Sequence, residues 1–87
     1  MDNSYVKKEI QKILMKSLCR ESIKDDSEND LITLYGINSI DALEIFINIE
    51  TTFDIQIPEE DLSSDLFISL DFLCEYILHL ISQQNKI

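Results

Sequence analysis

Few side chains in this sequence have the type and spacing that chemistry requires, and the one that stands out is a serine. Ser39 follows Gly36, Ile37 and Asn38 and heads an amphipathic run whose next acids are Asp41 and Glu44. Gly36 is the only glycine of the chain, so the backbone freedom it provides is placed at this one turn. A serine before a helix is a good N-cap, because its hydroxyl accepts a hydrogen bond from an unpaired first-turn amide. The plain expectation is therefore that Ser39 caps a helix. The sharper expectation is that it presents an accessible hydroxyl, beside a helix N-terminus, for covalent loading.

Other chemistry finds no support. His79 is the only histidine and falls off the apolar stripe of its helix, with no nucleophile or carboxylate spaced to pair with it. Cys19 and Cys74 are too few and too far apart for a zinc site, and they read as small buried or half-buried hydrophobes without a disulfide. An acidic run starting at Asp25 places Asp30 where a calcium-binding EF-hand loop needs glycine, and Gly36 where it needs a bidentate glutamate. That run reads as a solvated acidic loop. With no glycine-rich phosphate loop, metal cluster or nucleophile–base pair, the residues describe a binding module rather than an enzyme.

The elements that must position Ser39 follow from apolar periodicity. Val6, Ile10, Ile13, Leu14 and Leu18 recur at helical spacing and predict a first helix over Asn3 to about Leu18, capped by Asp2 or Asn3. Arg20 to Asn38 reads as a long loop with room for one helical turn, anchored by Ile23 and returned to the core by Leu31, Ile32, Leu34 and Tyr35.

A second helix is predicted from about Ser39 to Phe53. Projected at 100° per residue, Ala42, Phe46, Ile49 and Phe53 form its core face with Leu43 at the edge, while Asp41, Glu44 and Asn48 lie opposite. Ile40 and Ile47 share the flank between, either as outer core or as the apolar part of a docking strip, and spacing leaves both readings open. Glu50 falls within the apolar arc and needs a partner if buried.

Asp54–Ile57 is expected to be an extended connection with Ile55 and Ile57 pinned inward. Pro58 followed by Glu59, Glu60 and Asp61 predicts a short helix to Leu62, since proline suits a first helical position and acids favour a helix N-terminus. After a break at Ser63–Asp65, Leu66, Phe67 and Ile68 form a second anchor. Ser69 caps a last helix that runs to about Gln83, with Leu70, Leu73, Cys74, Ile77 and Ile81 inward. The predicted fold is all-α: a small bundle of three longer helices and one short one, forming a single domain over residues 1–87.

Composition bounds the partners. The 87 residues carry a formal net charge of −10, which argues against nucleic acid and for partners with basic docking surfaces. Apolar residues make up 45% and are interspersed, as in a folded chain. No apolar run is long enough for a membrane span and no signal-peptide pattern is present, so a cytoplasmic monomer is expected.

The run Gly36-Ile37-Asn38-Ser39-Ile40 resembles the Gly-x-Asp-Ser-Leu attachment motif of acyl carrier proteins. The resemblance continues in register through Asp41, Glu44, Glu50, Phe53-Asp54-Ile55 and Ile57-Pro58-Glu59-Glu60-Asp61-Leu62, and the flanking helices extend it over nearly the whole chain. It implies that the bundle is of the acyl carrier protein type. It also implies that a phosphopantetheinyl transferase moves the 4'-phosphopantetheine arm of coenzyme A onto Ser39, beside Asn38 and Gly36. The protein would then act as a discrete acyl carrier for fatty-acid or polyketide synthesis, worked on by loading and processing enzymes. Ile40, Asp41, Glu44 and Ile47 would dock those partners, with Glu59, Glu60 and Asp61 as an outer acidic contribution, and a growing chain could slip between helices near Phe46 and Ile49.

This sequence departs from the pattern at Asn38, where the family most often has aspartate, and at Ile40, where leucine is usual. Leu34-Tyr35 also replaces an acidic-leucine pair. Because Ser-Ile also occurs in carrier domains of peptide and polyketide assembly, an aminoacyl or peptidyl carrier is the alternative. An unmodified helical interaction domain, with Ser39 only a cap, is the third reading.

Overall fold

The apolar stripe of the first sixteen helical residues organises the molecule. In a computed structural model, which describes residues 3–21, 23 and 30–84, Asn3–Leu18 forms α1. Val6, Ile10, Ile13 and Leu14 are buried along one side of α1, and Leu18 is partly buried. That stripe packs against both α3 (Ser39–Phe53) and α4 (Leu70–Gln84), whose bounds fall within a residue of those the sequence predicts. Ion pairs on the solvated side of α1, Lys7 with Asp71 at 3.2 Å and Lys12 with Glu9 at 3.8 Å, each have one exposed and one half-exposed partner and contribute little.

Among the described residues the architecture is wholly helical, with four α-helices, as the sequence predicts, but the short helix lies elsewhere. It is α2, Leu31–Tyr35, within the stretch read as loop. Asp30 caps it by accepting from the Thr33 amide at 2.6 Å, and Gly36 ends it in the left-handed region at φ 63°, donating its N–H to Ile32. Pro58–Leu62, expected to be that short helix, holds instead a single 3-10 turn at Glu59–Asp61 with no buried residue. A second 3-10 turn, Ser64–Phe67, fills the expected break; Ser63 caps it, and it buries Leu66 and Phe67 against α4 and α2. Ser69 caps α4 as predicted, accepting from the Phe72 amide at 3.0 Å.

The core joins these pieces. Ile23, Ile55 and Ile57 are pinned inward as expected, and α4 contributes Leu70, Leu73, Cys74, Ile77, Leu80 and Ile81. Three expectations need correction. On α3 the buried arc is Ile45, Phe46, Ile49 and Phe53, so Ile45 replaces Leu43, which is exposed. The contact of α3 with α1 turns its inner face towards Ile45. Ile68 is exposed rather than an anchor, because the second 3-10 turn points Leu66 and Phe67 inward and leaves the next residue outside. Cys19 is exposed just after α1, where it takes a positive φ of 54°, while Cys74 is buried; neither forms a disulfide. Asp2, and the acidic run from Asp25 apart from Asp30, lie outside the described residues.

Glu50 finds its partner at the exit of α3. Its carbonyl accepts from the Ile55 amide at 3.1 Å, and its carboxylate accepts from the Ile57 amide at 2.9 Å. Gln84, at the end of α4, grips the same connection from the other side, accepting from the Gln56 amide at 2.8 Å and donating to the Gln56 carbonyl at 2.7 Å. These bonds satisfy an extended backbone that has no strand to pair with.

Candidate functional site

The turn that carries Ser39 is built in four steps. Gly36 reverses the chain after α2. Ile37 is buried and anchors the turn to the core. Asn38 is extended, at φ −95° and ψ 178°, and its side chain accepts from the Asp41 amide at 2.8 Å. Its carbonyl accepts from Ala42 at 2.9 Å, the first bond of the helix. The cap of α3 is therefore Asn38, and the expectation that Ser39 caps is corrected. Asparagine and serine cap equally well, so adjacent residues of these types leave the choice to the backbone.

The correction changes the chemistry available. Ser39 is the first helical residue, exposed, and its hydroxyl engages no cap bond. The amides of Ser39 and Ile40 precede the first intrahelical donor and point out of the helix end, where they favour an anion. Asn38 adds no charge there. The nearest carboxylate in the helix is Asp41, in the first turn, where it complements the helix dipole.

Ser39 also lines an open groove of about 310 Å³ between α3, Ile32 of α2 with the turn at Ile37, and the segment Leu62–Phe67. Ile32, Ile37, Ala42, Leu43, Phe46, Leu62 and Phe67 give it a mainly apolar lining, with Asn38, Ser39, Ser63 and Ser64 as its polar part. The buried rings of Phe46 and Phe67 meet with centroids 5.1 Å apart and planes tilted by 30°, a favourable offset arrangement. Phe46 thus takes the place expected of it, while Ile49 is fully buried and does not line the groove.

Beginning at the groove rim with Leu43, α3 presents an apolar strip that the sequence only half identified. Ile40 is 77% exposed, Leu43 55% and Ile47 51%, at a spacing that puts all three on one flank, and Glu44 is exposed beside them. The alternative of an outer core position for Ile40 and Ile47 does not hold. Glu59 and Glu60 are exposed, whereas Asp61 is partly buried and accepts a 2.6 Å hydrogen bond from the Tyr76 hydroxyl. Arg20, at the end of α1, lies over the Tyr35 ring at 5.5 Å, just before the glycine turn. His79 is exposed on α4 as predicted. Among the described residues no group of three or more metal-ligating side chains converges, and no helix is long and apolar enough to cross a membrane.

An unengaged serine at a helix start, with an apolar groove beside it, is a place for a covalently tethered group. The comparisons with known proteins give the family. Residues 5–77 match the family described as the phosphopantetheine attachment site. The chain belongs to this family, that of the acyl carrier proteins, and the cofactor such proteins bear is a covalently attached 4'-phosphopantetheine.

The chain is similar to an acyl carrier protein of Akkermansia muciniphila, with 28% identity over 61 residues that cover 70% of this chain and 76% of that one. It is also similar to anthracycline acyl carrier proteins, DauA of a Streptomyces strain and DpsG of Streptomyces peucetius. Each is 32% identical over 57 residues, which cover 63% of this chain and 68% of the relative. No solved structure matches it. The residues present fit the cofactor: an exposed hydroxyl at Ser39, first-turn amides that favour an anionic phosphodiester and a groove beside them.

Proposed function

We propose that this protein is a discrete acyl carrier, a non-enzymatic partner of cytoplasmic enzymes, and that Ser39 bears its phosphopantetheine arm. The observation that carries the reading is Ser39 itself, exposed at the first position of α3, released from capping by Asn38 and opening onto an apolar groove. The arm supplies a terminal thiol that holds the cargo as a thioester. The chain's own residues do the rest. The Ser39 and Ile40 amides and the end of α3 stabilise the phosphodiester. Phe46, Phe67 and their neighbours give an apolar cargo a place to leave water, which favours an acyl over an aminoacyl load. Ile40, Leu43 and Ile47 anchor partner enzymes, while Asp41, Glu44, Glu59 and Glu60 steer their basic surfaces, so association slows as salt rises. Fatty-acid or polyketide synthesis is the process that uses such a carrier.

Intact mass after incubation with coenzyme A, magnesium and a broad-specificity phosphopantetheinyl transferase tests the proposal. The parent should gain one phosphopantetheine and Ser39→Ala none. A folded parent that gains nothing, or a Ser39→Ala variant that still gains mass, overturns it.

A further inference from the structure

We infer that Tyr76 is a positioning residue that, by its bond to Asp61, latches one wall of the groove and thereby sets how much apolar chain the groove holds. The inference rests on reading the groove as the cargo site. One wall of that groove is α3, a fifteen-residue helix packed on α1. The wall opposite is of a different kind. Between the buried anchors Ile57 and Leu66 no described residue is buried, and the stretch before the second 3-10 turn begins at Ser64 holds one 3-10 turn, Glu59–Asp61.

Within that turn the Asp61 amide donates to Pro58 at 2.9 Å and the Leu62 amide to Glu59 at 3.2 Å. Such bonds shape the turn without fixing where it sits. Leu62, Ser63 and Ser64, the residues that face the groove, follow directly.

The bond that reaches from this turn to a helix is Tyr76 Oη donating to Asp61 Oδ2 at 2.6 Å. It is short and charge-assisted, the strong kind of hydrogen bond, and both partners are partly buried. Tyr76 is itself held, because it packs on the core from α4 next to buried Leu73 and Ile77. Burial first, then the Asp61 bond and charge, with Glu60 adding to it, raises the Tyr76 hydroxyl above its ordinary value, so it remains a donor at neutral pH. Asp61 precedes Leu62 in the chain, so a clamp on Asp61 is a clamp on the wall. Released, the stretch Glu59–Leu62 can swing between Ile57 and the second 3-10 turn, and the groove widens at Leu62. Asp61 therefore faces inward as part of the latch, unlike Glu59 and Glu60.

Tyr76→Phe removes the hydroxyl and keeps the ring; Asp61→Asn keeps an acceptor oxygen. Amide hydrogen exchange of the unmodified protein should show Asp61 and Leu62 exchanging about tenfold faster in Tyr76→Phe, as loss of one charge-assisted bond implies. Asp61→Asn should fall between, and α1 and α3 should be unchanged. In protein loaded with straight-chain acyl thioesters of increasing length, the parent should protect the thioester from hydroxylamine up to a limiting length, and Tyr76→Phe should move that limit to longer chains. Unchanged exchange overturns the latch, and so does faster exchange with an unchanged limit. A parent that cannot be loaded counts against the carrier reading, which its intact mass shows separately, and exchange alone then decides whether the latch exists.

Discussion

Replacing Asn38 separates the cap from the attachment point, because the two functions fall on neighbouring residues. In Asn38→Ala the Asp41 amide loses its 2.8 Å acceptor. An N-cap of this type contributes about 1 kcal/mol, within a range of about 0.5–2. For a domain of this size that corresponds to a melting point lower by about 4–8 °C. Ser39→Ala removes an exposed hydroxyl that caps nothing, so its stability should stay within about 0.5 kcal/mol of the parent. Asn38→Asp keeps the acceptor and adds a charge at the positive helix end, worth about 0.3–1 kcal/mol before modification.

Once a phosphodiester sits on Ser39, that added charge has a neighbour of the same sign. Two unit charges about 6 Å apart in water repel by about 0.7 kcal/mol, which cancels most of the gain. Denaturant titrations of the parent, Asn38→Ala and Asn38→Asp with and without the arm, and of Ser39→Ala without it, read each term. Asn38→Ala should be the least stable and Ser39→Ala indistinguishable from the parent. Asn38→Asp should be favoured only before loading, with the difference shrinking in high salt. If Ser39→Ala loses the stability and Asn38→Ala does not, serine is the cap and the reasoning that frees its hydroxyl fails.

Glu50→Ala should lower stability by about 1–3 kcal/mol, since it strands the partly buried Ile57 amide, and Glu50→Gln should cost less because an oxygen remains to accept; equal unfolding midpoints for all three proteins would refute the role. Phe67→Ala should cost about 3–5 kcal/mol, as the ring is wholly buried against Phe46, whereas Ile68→Ala at the exposed neighbour should stay within about 0.5 kcal/mol in the same titration. The Thr33 amide bond holds the Asp30 carboxyl below its ordinary 3.8. A depressed carboxyl stabilises the fold above its unfolded value and stops doing so as pH falls through the folded one. The Thr33 amide resonance should therefore keep its hydrogen-bonded position at pH values above 3.8 and move only below it; a midpoint at or above 3.8 would count against the cap.

What could be read from the sequence was what local pattern decides. The bounds of α1 and α3 follow from apolar repeats with clear stops, and Ser69 caps α4 because no rival capping residue stands at its start. The rest depended on partners remote in the chain. Five residues are too few to show a helical period, so α2 was legible only through its ends, Asp30 with Thr33 and then Gly36. Whether Leu43 or Ile45 turns inward depends on where α1 lies, which the α3 sequence does not contain. Glu50's partner is a backbone amide, and every residue but proline has one, so no residue type marks it. The groove is an arrangement of three separate segments. Its serine was legible as a position, and the helix turn that frees it was not.

Gly36 has a consequence that concerns handedness. A methyl group built on its α-carbon would meet no atom within 4 Å, so the position is not reserved for want of room. What excludes ordinary residues is the sign of φ, +63°, which L-amino acids rarely adopt and their mirror images prefer. A D-alanine introduced here by chemical synthesis would sit in its preferred conformation, and would narrow the unfolded chain's choices as glycine cannot. At the hinge that presents the serine, this protein asks for the opposite chirality, and glycine is the nearest that the genetic code supplies.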